Sequence, residues 1–308
     1  MLPHAASQSP IQTATLTVLA LLAFAGNSLL CRLALQQTSI DATSFTSVRL
    51  VTGAVVLALL VAWRGRKFNA SSKPWRAGGW SAGGWGAGSW GSALALFVYA
   101  AAFSLAYVQL SAATGALLLF GVVQTSMIGW GLWRGERLLP LQWLGLATAS
   151  AGLVWLLLPG LAMPSPAAGA LMAAAGVAWA VYTLRGRGAG DATAVTAGNF
   201  LRAAPLTLAA SAAALALGAP PRWDSAGLGL ALASGALASG LGYAVWYTAL
   251  RGLSATRAAI LQLTVPALAT AGGVLLLGEA LTPQLIGASV AVLGGVAMVI
   301  RARGRPGA

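Results

Sequence analysis

Residues 253–299 read LSATRAAILQLTVPALATAGGVLLLGEALTPQLIGASVAVLGGVAMV. Two long apolar runs meet at a short joint, Gly278-Glu279-Ala280-Leu281-Thr282-Pro283. The same design stands earlier in the chain at a constant offset of 143 positions, the distance from Glu136 to Glu279. Leu110, Ser111, Leu118, Gly129, Leu138, Pro140 and Gly152 correspond in this way to Leu253, Ser254, Leu261, Gly272, Leu281, Pro283 and Gly295. A hydrophobic hairpin repeated this closely marks an internal duplication.

Composition says what solvent the chain folds in. Of its 308 residues, 58% are hydrophobic and only 7% are charged, and the mean hydropathy is +0.80. A soluble domain carries about 25% charge, so a surface this poor in charge belongs in lipid. The net charge is +13, but the basic residues lie between apolar segments and form no run with interleaved aromatics. That excludes a nucleic-acid partner and makes the bilayer the first partner. One cysteine, Cys31, permits neither an internal disulfide nor a thiolate cluster. One histidine, His4, sits in a polar N-terminal tail, so a multi-His metal site or histidine relay is excluded. No cofactor motif is present. Residues 1–12 hold no Lys or Arg, so the charged region of a signal peptide is missing and the first apolar segment reads as a retained span.

A helix crossing the bilayer needs about 20 apolar residues and satisfies its own backbone hydrogen bonds. Ten windows qualify, at roughly 13–35, 43–63, 89–109, 112–133, 140–158, 166–184, 193–217, 226–250, 256–277 and 282–300. The expected fold is an all-α integral membrane protein of ten transmembrane helices arranged as two inverted five-helix repeats. A polar tail (1–12) precedes the first repeat (13–158). The second repeat (166–300) is followed by a basic tail (301–308). Ten spans place both termini on one side, and that side collects fourteen Lys and Arg residues in its loops and tails against two, Arg32 and Arg222, on the other. The positive-inside rule puts the richer side in the cytoplasm, in the cell's inner membrane. Five is odd, so the second copy enters the bilayer upside down. Arg134 and Arg137 flank the first joint, and their counterparts are Leu277 and Ala280. The charges are absent where the rule no longer favours them. Asp41-Ala42-Thr43 and Asp191-Ala192-Thr193 echo one another at an offset of 150. The extra length of the first copy falls in the loop 64–88, rich in Trp and Gly, which reads as a flexible cytoplasmic loop with indoles at headgroup level.

No enzyme constellation appears. The five acids, Asp41, Glu136, Asp191, Asp224 and Glu279, all map to loops or helix ends. Glu136 and Glu279 each stand four residues before a proline that opens the next helix, where proline is tolerated and a carboxylate meets the positive pole of the helix dipole. Each is either a cap fixing its hairpin or a gating or ion-coupling group. Arg49 and Arg202 fall within spans, where charge is costly. Arg49, near the outer end of its span, either snorkels outward or faces a cavity. Arg202, closer to mid-span, either faces the cavity, where it would suit a carboxylate or phosphate, or pairs with backbone carbonyls. Polar and aromatic residues mark a pathway: Asn27 in span 1, Tyr99, Phe103 and Tyr107 in span 3, Gln124 in span 4. Trp179 and Tyr182 in span 6, Tyr243, Trp246 and Tyr247 in span 8, and Gln262 in span 9 complete it. For each residue alone, interhelical hydrogen bonding or an interfacial belt is the competing reading. Pro266 lies inside span 9 and should break or kink it, as binding-site helices of transporters are broken.

These features together resemble the drug/metabolite transporter superfamily, in its EamA-like branch of ten-span permeases. The resemblance rests on the twofold Gly-Glu-x-x-x-Pro joint (Gly135 to Pro140, Gly278 to Pro283), the LSAAT and LSATR segments that open spans 4 and 9, Pro266, and Gly294-Gly295. It covers nearly the whole chain apart from the tails and the Trp-rich loop. Span 4 lacks the proline of span 9. The resemblance implies a 5+5 inverted repeat and a central cavity lined by spans 1, 3, 4, 6, 8 and 9. It also implies secondary transport, often export, of amino acids or other small metabolites; the sequence leaves the oligomeric state open, a monomer included. The alternative is a non-transporting sensor or scaffold, or a membrane-embedded enzyme, on the same fold.

Overall fold

A computed structural model describes residues 9–69, 87–135, 137–158, 165–186, 191–253, 258 and 261–303. Glu136 and most of the Trp-rich loop lie outside the described residues. Trp90, just past that loop, is the exposed first residue of a helix.

Among the described residues the structure is helical throughout, and a helix stands in each apolar window. They are α1 (Pro10–Gln37), α2 (Ala42–Asn69), α3 (Trp90–Tyr107), α4 (Ala112–Trp133) and α5 (Pro140–Leu157). Then follow α6 (Pro166–Arg185), α7 (Ala192–Ala216), α8 (Ser225–Ala249), α9 (Thr264–Leu277) and α10 (Pro283–Arg303). Seven are long and apolar enough to cross a bilayer: α1, α2, α3, α4, α6, α8 and α10. Of the others, α7 carries Asn199 and Arg202, and α9 is shortened to 14 residues by a break.

The helix starts follow from local chemistry. A helix leaves its first N–H groups without intrahelical partners, and an oxygen at the N-cap accepts from one or two of them. Ser9, Asp41, Ser89, Ser111, Ser165, Asp191 and Asp224 do so for α1, α2, α3, α4, α6, α7 and α8. Thus Asp41, Asp191 and Asp224 are each spent on capping the helix they precede. Gln142 reaches back to the N–H of Leu139 at the start of α5, and Thr282 accepts from Leu285 at the start of α10. Gly278 closes α9 in the left-handed conformation (φ 65°), which costs a residue without Cβ little.

The tertiary pattern has a simple rule. α2 packs on α7, α5 on α10, and α4 on α9. α3 packs on α6 as α8 packs on α1, and α4 on α6 as α9 on α1. Raising every helix number by five returns the same principal contacts. Hydrogen bonds give the sense of the pairs. Gln142, in the first turn of α5, donates to the carbonyl of Val299 near the end of α10. Gln284, in the first turn of α10, donates to the carbonyls of Trp155 and Leu158 at the end of α5. α5 and α10 are therefore antiparallel. So are α2 and α7, since Ser47 meets Thr207 and Ser211 at one end while Arg64 meets Thr193 at the other.

Small residues set the distance between helices. A Cβ on Gly295 would strike the carbonyl oxygen of Gly145, and one on Gly145 would strike that of Gly295. In lipid, where apolar side chains gain nothing by leaving one apolar medium for another, such close backbone approach is a main source of helix association. The opposite faces carry exposed Val55, Leu59, Leu144, Val154, Leu276 and Val290. A belt of this kind is unstable in water and natural against acyl chains. The protein is a multi-pass membrane protein.

Candidate functional site

Six of the ten cavity candidates converge on one small chamber. Asn27 reaches it from α1 with Phe24 and Ser28; Tyr99 and Phe103 from α3; Trp179 from α6; Tyr243 from α8. Gln262 comes from the chain just before α9, and Leu119 and Phe120 supply the wall from α4. The helices that line it are α1, α3, α4, α6, α8 and the α9 segment. Its cavity volume is about 20 Å³, room for about one water molecule. The aromatic rings close it. Trp179 lies 4.7 Å from Tyr99 and 5.3 Å from Tyr243, centroid to centroid, and Phe24 lies 5.8 Å from Tyr243. Anything larger than water enters only when the helices or these rings move apart.

The other candidates stand behind this wall or away from it. Tyr182 stacks on Trp179 at 5.4 Å, and Trp246 meets Phe24 edge-on at 5.7 Å, so both buttress the lining. Gln124 is buried in α4, one turn beyond Phe120 and outside the lining. Arg202 does not line the chamber. Its Nη1 donates to the carbonyl of Ala87 at 2.5 Å and to that of Gly198 at 3.0 Å. Of the two roles open to it from the sequence, the pairing with backbone carbonyls is the one the geometry displays. It ties α7 to the chain entering α3.

Of the two positions left open to Arg49 by the sequence, the structure shows the interior one. It does not snorkel: its side chain is 1% exposed, at the heart of the bundle. Its Nε donates to the hydroxyl of Ser239 at 3.1 Å and its Nη2 to the hydroxyl of Tyr99 at 3.3 Å. Its guanidinium lies 5.3 Å from the Tyr99 ring centroid and 5.1 Å from that of Phe103. The signal that could have found it is the four-residue row Phe45, Arg49, Gly53, Leu57, an inward-facing ridge of α2 in which a charge has replaced an apolar residue.

α8 is shaped to receive it. Ser234–Leu241 is wound as a π-helix, a form that concentrates at functional sites. Within it Ser234 donates to the Asn27 side-chain oxygen at 2.7 Å, and Ser239 holds Arg49. Gly235 gives the carbonyl of Arg49 room, since a Cβ there would lie only 2.5 Å from that oxygen. Hydropathy and composition carry no signal for a π-helix.

α9 is broken, but not where its proline lies. The helical run through Gln262 is interrupted at Leu263, and Pro266 is buried in the first turn of the helix that resumes at Thr264. Proline has no N–H, so it removes the bond to the carbonyl four residues earlier. That carbonyl belongs to Gln262, a chamber residue.

Glu279 caps a helix, and the helix is not its own. Its carboxylate accepts from the N–H of Ala112 at 2.7 and 2.9 Å and from that of Ala113 at 3.4 Å, the first turn of α4. Arg32, at the end of α1, pairs with it at 3.4 Å and donates to the carbonyl of Tyr107. One carboxylate thus ties α1, α4 and the α9–α10 turn together at one end of the bundle. At the same end Asp41 accepts from the N–H of Arg222 at 2.8 Å. Burial raises the Asp41 carboxyl, but hydrogen bonds from Ser44, Arg222 and Thr43 prevail and leave it below the ordinary carboxylate range.

Comparison with known proteins agrees with this arrangement. Residues 167–301, from α6 through α10, match the EamA-like transporter family. An uncharacterised protein of Pseudomonas aeruginosa is 54% identical over 292 residues, which is 95% of this chain and 96% of that protein. A solved crystal structure, 22% identical, superposes on 96% of this chain and on the whole of its own with a TM-score of 0.63. That likeness speaks for the fold alone. The chain belongs to the EamA-like transporter family of the drug/metabolite transporter superfamily. It is a membrane transporter of small molecules, in a family of transporters rather than enzymes.

Proposed function

We propose that the protein is a ten-span secondary carrier of the inner membrane. It exports a small organic metabolite, such as an amino acid, by alternating access around the central chamber, with both termini in the cytoplasm. Residues 13–158 and 166–300 form its two inverted repeats. The observation that carries the reading is the chamber itself. It lies where α1, α3 and α4 of one half meet α6, α8 and α9 of the other, and it gathers Asn27, Tyr99, Trp179, Tyr243 and Gln262. The antiparallel pairing of α5 with α10 and of α2 with α7 supports inversion, because those pairs are the corresponding helices of the two halves. Rocking one half against the other opens a midplane site to each side in turn. The narrow chamber fits an occluded stage of that cycle, with Glu279 and Arg32 as a tie across its outer end. Pro266 and the interruption at Leu263 leave the α9 segment free to bend at Gln262.

The test is flux in proteoliposomes against a panel of metabolites. Side-specific thiol labelling of Asn27→Cys and Gln262→Cys, in a chain with Cys31 replaced by Ser, accompanies it. Net movement of at least one metabolite, with labelling of both positions from both sides, is expected. Intact protein that moves nothing, or labelling confined to one side, would overturn the proposal.

A further inference from the structure

Taking that carrier reading as its base, we infer that the chamber selects an anionic substrate group, a carboxylate by preference, and that Arg49 is the residue that selects it. Arg49 is the largest fully buried side chain, and its Nη1 has no hydrogen-bond partner. Its other two nitrogens are held by neutral hydroxyls, of Ser239 and Tyr99. Among the described residues no carboxylate pairs with it. Of the five acids, Glu279 is engaged by Arg32 and the first turn of α4, while Asp41, Asp191 and Asp224 cap helices at the ends of the bundle. Glu136 belongs by sequence to the turn between α4 and α5. Asp41 is eight residues from Arg49 on α2, about 12 Å along the axis at 1.5 Å per residue.

A guanidinium cannot shed its proton inside a protein. A charge buried in a membrane protein is expensive, and one without an ionic partner is by default a candidate for a substrate pathway. The two rings that Arg49 lies against, Tyr99 and Phe103, are themselves chamber wall. The positive field therefore reaches the chamber undiluted by a counter-ion among the described residues, through a low-dielectric wall one side chain thick. An anion entering the chamber gains that field, and movement of Tyr99 gives it Nη1 as a direct donor. A cation meets repulsion with nothing to offset it. Apart from the amides of Asn27 and Gln262 and the hydroxyls of Ser28, Tyr99 and Tyr243, the lining is aromatic or aliphatic, suited to an apolar body with few further polar groups. Specificity then comes mainly from charge at one end of the molecule, the fork of a guanidinium being well matched to two carboxylate oxygens.

The experiment compares three probes of one shape and different charge: phenylacetate, its neutral amide phenylacetamide, and the cation phenethylamine. Each is titrated into the purified full-length protein while its thermal unfolding is followed, because a ligand that favours the folded state raises its apparent stability. Phenylacetate is expected to raise the midpoint at concentrations where the other two do nothing. In Arg49→Gln its apparent affinity falls at least about tenfold, as loss of a charge-assisted hydrogen bond requires. Equal stabilisation by the amide or the amine in the unaltered protein overturns the inference, and this arm needs no variant to fold. So does failure of all three probes together with transport of a cationic or neutral metabolite in proteoliposomes. Binding that follows the carboxylate without any flux sustains the inference and sinks the carrier reading instead, so the two fail separately.

Discussion

Replacing Glu279 with Gln removes one charge and one oxygen from the tie between α1, α4 and the α9–α10 turn and leaves its shape almost unchanged. The carboxylate accepts from Ala112 and Ala113 and faces Arg32 at 3.4 Å, with side-chain exposures of 11% for the acid and 17% for the base. A partly buried charge at a helix N-terminus contributes up to about 2 kcal/mol. A hydrogen bond to a charged group contributes about 1.5–3 kcal/mol, of which a neutral amide oxygen retains roughly half. These terms overlap, so E279Q is expected to cost about 2–3 kcal/mol. At about 2–4 °C per kcal/mol for a large chain, the unfolding midpoint in detergent falls by roughly 5–10 °C. The more telling arm is a cycle with Arg32→Met. Both partners act on the same turn, so the double variant is expected to lose less than the sum of the singles, by about 1 kcal/mol or more. On the proposed carrier cycle, weakening the tie also favours states open at its end, and a thiol at Gln262 should become more reactive toward an impermeant reagent added on that side. An unchanged midpoint in E279Q, or strict additivity with R32M, would refute the assignment of Glu279 as a bridge between helices.

Two further outcomes follow from the packing and the caps. In G295V the added branches meet the carbonyl of Gly145 and the backbone of Ala149, which no side-chain rotation relieves. The α5–α10 pair is expected to separate, lowering the unfolding midpoint more than G294V does, since a Cβ on Gly294 meets nothing nearby; equal effects of the two would count against close glycine contact. For Asp41, a folded-state carboxyl held below its ordinary value of 3.8 contributes stability above that value and loses it as pH falls through the depressed one. The midpoint difference between the unaltered protein and D41N is therefore expected to be constant from neutral pH down to about pH 4 and to shrink below it. A difference already fading at pH 6 would show that another group is titrating.

Span positions, membrane class and the doubled hairpin were legible in the chain because each is a sum of local terms. Hydropathy is a transfer free energy accumulated residue by residue, and a cap such as Asp41, Asp191 or Ser111 acts within three residues of itself. The offsets of 143 and 150 are visible for the same reason: a recurrence of residues is a property of order along the chain. Partners across the bundle are another matter. Arg49 meets Ser239 across 190 positions, and Glu279 meets Ala112 across 167. Whether a given Arg faces lipid, a carbonyl or a chamber depends on the rotation of its helix about its own axis. Packing against several neighbours at once sets that rotation, so it placed Arg49 beneath the chamber wall and Arg202 on the carbonyl of Ala87. The residue types named the medium, whereas the close fit of glycine against backbone decided which polar groups would look at one another.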